Sequence, residues 1–346
     1  MGLIKVKDAT PGMIISKDIN NNDNNVVILA SGTILNKSHL KRLKDMGIND
    51  IQILKEENEE SESKIKRDLF FENHKKLEEE LNVLFNRVKI GKKIMVQEIS
   101  GIVNEIIKDI SNNNNILGRL RQLKNNGVYI QDHSINVSLL ATMIGKWLGY
   151  SEGELKQLSM AGLFHDIGMI KIPQKIIDKP GPLNQEEFIM VINHTINGYK
   201  ILKETIDLSN NSAYGALQHH EREDGTGYPL GIKSNEIHEF GKIIAVCDVF
   251  NAMTSNRVYK GKESPFKVAE EILYDSFGTL DGRISTVFLN NISKFYIGNI
   301  VKLNNGSIGE IVYVNKAVPT RPVIKVDNVF IDLLKNKDYE VVDIID

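Results

Sequence analysis

Two periodicities alternate along the chain, and the places where one gives way to the other divide it into four segments. In residues 1–56 the apolar positions come in short runs, LIKV, GMIIS and NVVILA, separated by turn-forming clusters such as NNNDNN, a pattern that predicts β-strands. One helix is expected in that segment, KSHLKRLKDMG, ended by Gly47 and followed by a strand at DIQIL. The acidic stretch EENEESESK opens residues 57–110, where LFFENHKKLEEELNVLFNRV repeats apolar residues at three and four. That period predicts an amphipathic helix, read here as a helical linker whose apolar stripe could pair two copies of the chain. Residues 111–292 carry a helical pattern almost throughout, with Gly, Pro and Asn at the breaks. In residues 293–346 short alternating runs return, IVKLNNG, SIGEIVYVN and RPVIKVDN, with turns at NNG and PTRP. The expected fold class is therefore mainly α: an all-helical bundle flanked by a small α+β N-terminal domain and a small antiparallel β C-terminal module.

Composition narrows the chemistry. A chain of 346 residues has room for two or three domains. Its formal net charge of -2 gives no global positive field for a nucleic acid polymer or an anionic membrane. The single cysteine, Cys247, excludes an intramolecular disulfide and a cysteine-based zinc ribbon, and suits the reducing cytoplasm. No run of about 18 apolar residues appears, and the start MGLIKVKDATPGM has no basic n-region, so a soluble cytoplasmic protein is expected.

Candidate chemistry gathers on the histidines. Of the eight, His39, His74 and His238 have charged or polar neighbours and are expected on the surface. The other five interrupt apolar helical runs. His133 begins HSINVSLLATMIGKWLG, His165 and Asp166 break LSMAGLFHDIGMIKIP, His194 stands four before Gly198, His219 and His220 end an apolar stretch, and Asp248 follows KIIAVC. Singly, each reads as a buried histidine bonded to a carbonyl. Together, five imidazoles and two carboxylates in apolar surroundings are costly to bury without shared partners, and a metal cluster satisfies all seven. Nitrogen and oxygen donors without thiolate suit iron, manganese, nickel or zinc.

The motifs HDIGMIKIP, H-x3-G at 194–198, HHEREDGTGYP and CDVFNAMTSNRVY together resemble the HD-GYP family, a branch of the HD superfamily of phosphohydrolases that hydrolyses the bacterial second messenger cyclic di-GMP. The resemblance covers roughly residues 130–292, makes 111–292 an HD-type catalytic domain, and implies a metal-dependent phosphodiesterase giving linear pGpG, with onward hydrolysis to GMP an open alternative. It implies that His133, His165, Asp166 and Asp248 hold one divalent ion, with Asp166 bridging to a second held by His194, His219 and His220. His165 and Asp166 are then the catalytic pair, acting with a water shared by the two ions. Tyr228 and Gly227 of the GYP loop, with Arg257 and Lys260, become substrate contacts. A third ion in some members uses a glutamate one turn before the first histidine; Tyr129 stands there, so two ions are expected. The family's usual HD-x-G-K ends here in Met169, and loss of one placed donor can cost roughly 100- to 1000-fold in rate. Lys171 can replace it only if the helix ends near Gly168. Two further readings follow: a cyclic di-GMP receptor without turnover, and a phosphodiesterase for another cyclic dinucleotide such as cyclic GMP-AMP. Lys242, Asn251 and Val258 also depart from common family residues, and Cys247 reads as a small buried neighbour of Asp248. Accessory signalling partners and a homodimer are further expectations.

Overall fold

The computed structural model describes residues 2–20, 27–53, 59–112, 120, 129–255, 263–315, 317–327 and 329–345. Among the described residues, the N-terminal module has two antiparallel strand pairs, a 3-10 turn at Val6–Asp8 and one α-helix. Strand β1 (Gly2–Lys5) pairs with β4 (Asp50–Ile53), and β2 (Ile19–Asn20) with β3 (Val27–Leu29). In β4 the period of two turns Ile51 and Ile53 into a small core with Ile15, Leu29, Leu35 and Leu43, leaving Asp50 and Gln52 outside. Helix α1 (Lys37–Asp45) is capped by Asn36, whose side chain accepts from the His39 amide, and it gives way at Gly47 to a positive φ of 69°.

Two long helices follow, α2 (Glu59–Lys89) and α3 (Val96–Asn112). The linker expected here is built into the bundle: Leu77, Leu81, Leu84, Phe85 and Val88 of α2, and Ile99, Ile102, Val103 and Ile106 of α3, are buried in the same core as the helices after them. The apolar stripe that suggested pairing of two copies is thereby largely covered within the chain. The bundle continues through α4 (Tyr129–Leu148), α5 (Glu152–Phe164), the short α6 (Gln174–Ile177), α7 (Gln185–Lys203), α8 (Asn210–Gln218), α9 (Glu239–Thr254), α10 (Pro265–Asp275) and α11 (Gly282–Ile292). Helix α5 packs on α3, α4, α8 and α9, so its apolar C-terminal half, Leu158 to Phe164, lies at the centre.

The C-terminal module is a five-stranded antiparallel sheet of strands β5 (Ile300–Leu303), β6 (Ile308–Asn315), β7 (Val318–Val326), β8 (Val329–Asp332) and β9 (Val341–Ile345), in the order β8-β7-β6-β5-β9. Two histidines expected on the surface are core residues. His39 is 2% exposed, with its Nε2 3.1 Å from the Gly298 carbonyl and 3.3 Å from Glu310 of β6. His74 is 3% exposed and meets Asn136 of α4. His238 is half-buried and caps α9, its Nδ1 accepting from the Phe240 amide.

Candidate metal centre

The backbone changes character where the histidine–aspartate pair stands. Helix α5 ends at Phe164, His165 closes it, and Asp166 opens a 3-10 turn from Ile167 to Lys171. This turn passes so close to α7 that a Cβ on Gly168 would sit 1.9 Å from the His194 carbonyl oxygen and 2.6 Å from the Gly198 nitrogen. Only glycine allows that approach, and it brings Asp166 beside the histidine of α7. His219 closes α8 and His220 follows it, His133 lies in the second turn of α4, and Asp248 lies in α9. Five helices thus send side chains to one point.

The two oxygens of Asp166 face different histidines. Oδ1 lies 3.2 Å from His194 Nε2 and 3.6 Å from His219 Nε2, whereas Oδ2 lies 3.4 Å from His165 Nε2 and 3.9 Å from His133 Nε2. Asp248 also reaches two ways, with Oδ1 3.1 Å from His133 Nε2 and Oδ2 4.0 Å from His220 Nδ1. Two sets of donor atoms result, each lying within 4.8 Å of one another: Asp166, His194, His219 and His220, and then His133, His165 and Asp248. All seven residues singled out in the sequence are brought together.

The backbone fixes which nitrogen points inward. The Nδ1–H groups of His165, His194 and His219 donate to the carbonyls of Gly162 (2.8 Å), Val191 (2.6 Å) and Ala216 (3.0 Å), each three residues back. His133 donates its Nδ1–H to the Asn251 side-chain oxygen at 2.9 Å. The inward Nε2 atoms therefore carry lone pairs, and they face carboxylate oxygens and each other, with His194 and His219 Nε2 only 3.3 Å apart. His165 Nε2 is buried and makes no hydrogen bond. Lone pair against lone pair in a buried site is repulsive without intervening positive charge, so the donor set fits divalent cations.

The titration behaviour follows from the same crowding. Burial alone would raise Asp166, yet His165, His194 and His219 outweigh it and hold its carboxyl well below the usual range. Asp248 is likewise lowered, chiefly by His133. Desolvation depresses His219 to about 4, and desolvation with the neighbouring His219 depresses His220 well below its ordinary value, keeping both neutral. His165 and His194 are raised because Asp166 overrides their burial.

The GYP loop lies against this cluster. The Tyr228 ring sits over His220, centroids 4.7 Å apart at 30°, and the Tyr228 amide donates to the His220 carbonyl. Burial, with Asp166 and Asp248 nearby, pushes the Tyr228 phenol up, so it stays a neutral donor. Gly227 earns its place through backbone crowding: a Cβ there would meet Arg222, Glu221 and His220 main-chain atoms at 2.4–2.5 Å. The residue that sequence reasoning missed is Glu221. It is 2% exposed, and its carboxylate accepts from the Leu230 (2.6 Å) and Ile232 (3.2 Å) amides, tying both ends of the loop together. Its only signal was an acid directly after two candidate ligands. Lys242 pairs with Glu223 at 3.1 Å and Asp281 at 3.3 Å, which fastens the same loop to α9 and α11. Met169 is half-buried in the 3-10 turn, while Lys171 at its end is exposed. Cys247 is fully buried and its thiol is pushed up by burial, in keeping with an inert neighbour of Asp248. Arg257, Val258 and Lys260 lie outside the described residues.

The family model described as HD domain matches residues 105–279. The chain belongs to the HD-domain family. Its HHEREDGTGYP motif and its relatives mark the HD-GYP branch. This HD chain is 31% identical over 245 residues to the cyclic di-GMP phosphodiesterase PA4108 of Pseudomonas aeruginosa, covering 70% of this chain and 58% of that one. It is 41% identical over 141 residues to a cyclic di-GMP phosphodiesterase of Thermotoga maritima, covering 40% and 38%. It is 35% identical over 165 residues to 3'3'-cGAMP-specific phosphodiesterase 1 of Vibrio cholerae, covering 47% and 38%. The chain thus spans little more than half, or less, of the length of these curated relatives. Among solved structures, Bd1817, a HDG"Y"P protein from Bdellovibrio bacteriovorus, shares the fold with a TM-score of 0.53 at 17% identity, over 83% of this chain and 97% of that one. Among the described residues no helix is long and apolar enough to cross a membrane.

Proposed function

We propose that this HD-GYP chain is a metal-dependent phosphodiesterase that opens cyclic di-GMP to pGpG, acting in the cytoplasm. The observation that carries the reading is Asp166, whose two oxygens serve two separate histidine sets 3.2–3.9 Å away. Such a carboxylate suits a pair of ions. One ion would be held by His133, His165, Asp166 and Asp248, the other by Asp166, His194, His219 and His220. Two divalent transition-metal ions, iron or manganese before nickel or zinc, would when bound activate water and offset charge on the phosphoryl oxygens.

The chain's own groups do the rest. The backbone carbonyls behind His165, His194 and His219 hold the imidazoles as neutral ligands. Tyr228, kept protonated, offers a hydrogen bond at the edge of the cluster. Hydrolysis breaks one P–O3' bond, leaving a 5'-phosphate and a free 3'-hydroxyl. Gly227 shapes the loop, and Arg257 and Lys260 remain substrate contacts by family resemblance alone.

The similarity to cGAMP-specific relatives supports a second reading in which the preferred substrate is another cyclic dinucleotide. Half-buried Met169, where the family carries lysine, supports a third, binding without turnover. Purified protein incubated anaerobically with Mn²⁺ or Fe²⁺ and each dinucleotide, with products resolved by chromatography, separates the three. Appearance of pGpG supports the main reading; faster cleavage of cyclic GMP-AMP, or tight binding with no product, replaces it.

A further inference from the structure

Helix α7 opens with an exposed apolar run. Phe188, Ile189 and Met190 are 49%, 52% and 46% exposed, and Leu230, just past the GYP loop, is 55% exposed. Single exposed apolar side chains are ordinary, but three in succession at a helix start are a fault unless something uses them. Their position ties them to the metal cluster. Met190 stands one turn before His194 on the same face of α7. The Phe188 ring meets the Tyr228 ring edge to face, centroids 6.4 Å apart at 76°, and Tyr228 in turn lies over His220. A continuous line of rings therefore runs from a candidate ligand to a half-open phenylalanine at the solvent edge.

We propose that Phe188, held against Tyr228, is the platform for one purine base of the substrate, which makes it a substrate-contacting residue outside the family motifs. The inference rests on the cyclic dinucleotide reading above. A diester phosphate placed at the histidine cluster leaves its attached nucleoside within a few ångströms, where a planar base needs a flat apolar face. The half-exposed Phe188 side chain, seated against Tyr228, supplies that face. Base stacking on aromatic rings tolerates either purine, so this platform adds affinity while leaving the choice between guanine and adenine to polar groups.

The test compares wild type with Phe188→Ala and Phe188→Trp in the metal-loaded full chain. Two readouts are taken: binding of cyclic di-GMP by calorimetry, and hydrolysis of cyclic di-GMP against methyl p-nitrophenyl phosphate, a diester without a base. The platform predicts that Phe188→Ala weakens binding and raises KM for cyclic di-GMP about tenfold or more, that the loss on the base-free diester is at least several-fold smaller, and that Phe188→Trp restores affinity. Equal losses on both diesters, or unchanged affinity in Phe188→Ala, overturn it. If wild type binds cyclic di-GMP but cleaves neither diester, the phosphodiesterase reading falls while the binding comparison still decides the platform. If wild type does not bind cyclic di-GMP at all, both fall.

Discussion

At the scale of single residues, the candidate centre depends on groups outside its seven donor residues. Asn251 is 6% exposed and accepts the Nδ1–H of His133, which leaves Nε2 free to face Asp248. Without that acceptor the ring can turn or change tautomer. Asn251→Ala should therefore weaken Mn²⁺ binding about 10- to 100-fold while the fold stays intact, and Asn251→Asp should retain or tighten it. Metal titration followed by calorimetry checks both, and unchanged affinity in Asn251→Ala would remove the positioning role. The seven donors were legible in the sequence because each puts a polar side chain into an apolar run. Their orienting partners were not, since they are backbone carbonyls or, for His133, a side chain 118 residues away. The same distance problem misplaced His39 and His74: the charges beside them in sequence point elsewhere, and the groups that bury them come from β6 and α4.

At the scale of elements, the distance between the 3-10 turn and α7 sets the distance between Asp166 and His194. Gly168 holds that spacing through the absence of a side chain, and the atoms a Cβ would strike belong to the backbone of α7. Rotamer changes cannot relieve such a clash, so the two elements must separate. Gly168→Ala should cost about 1–3 kcal/mol of stability, seen as a lowered melting temperature, and should also weaken metal binding. A variant that melts lower but binds metal normally would show that the approach supports packing alone. Helix positions were legible from period and capping, Gly47 ending α1 and the amphipathic pattern of α2 among them. The destination of the α2 stripe was not: a stripe of one width serves equally well for a linker, a dimer or a core, and only the presence of α4 and its neighbours decides for the core.

At the scale of the molecule, the two β-containing modules at opposite ends of the sequence touch each other through a buried charge. Glu310 of β6 is 5% exposed and accepts from Ser38 at 3.1 Å, with Arg42 Nη1 at 3.5 Å and His39 Nε2 at 3.3 Å. Arg42 also donates to the Val312 carbonyl at 2.8 Å. Strands β1, β3, β4, β5, β6 and β7 were legible from alternation while β2, β8 and β9 lay outside the runs read there, and this contact joins residues as much as 272 positions apart, so neither the sheet order nor the docking carries a local signature. Burial alone would raise the Glu310 carboxyl, but His39 and Arg42 outweigh it and its folded pKa is lowered. Burial lowers Arg42 in spite of Glu310, yet a guanidinium stays protonated at any pH of interest. A depressed carboxyl pKa contributes stability that is present above the unfolded pKa, near about 4.3, and is lost as pH falls through the folded value. Glu310→Gln leaves Arg42 facing an uncharged amide and should cost about 1–3 kcal/mol at pH 7. The gap in melting temperature between wild type and Glu310→Gln should be present at pH 5 and shrink below about 4.3, where the carboxyl takes up its proton first in the unfolded chain and then, through the folded value, in the native one. Calorimetric melting of both proteins across that range checks it. A gap that does not change with pH would mean that Glu310 holds the modules together by shape and hydrogen bonding, with its charge contributing nothing.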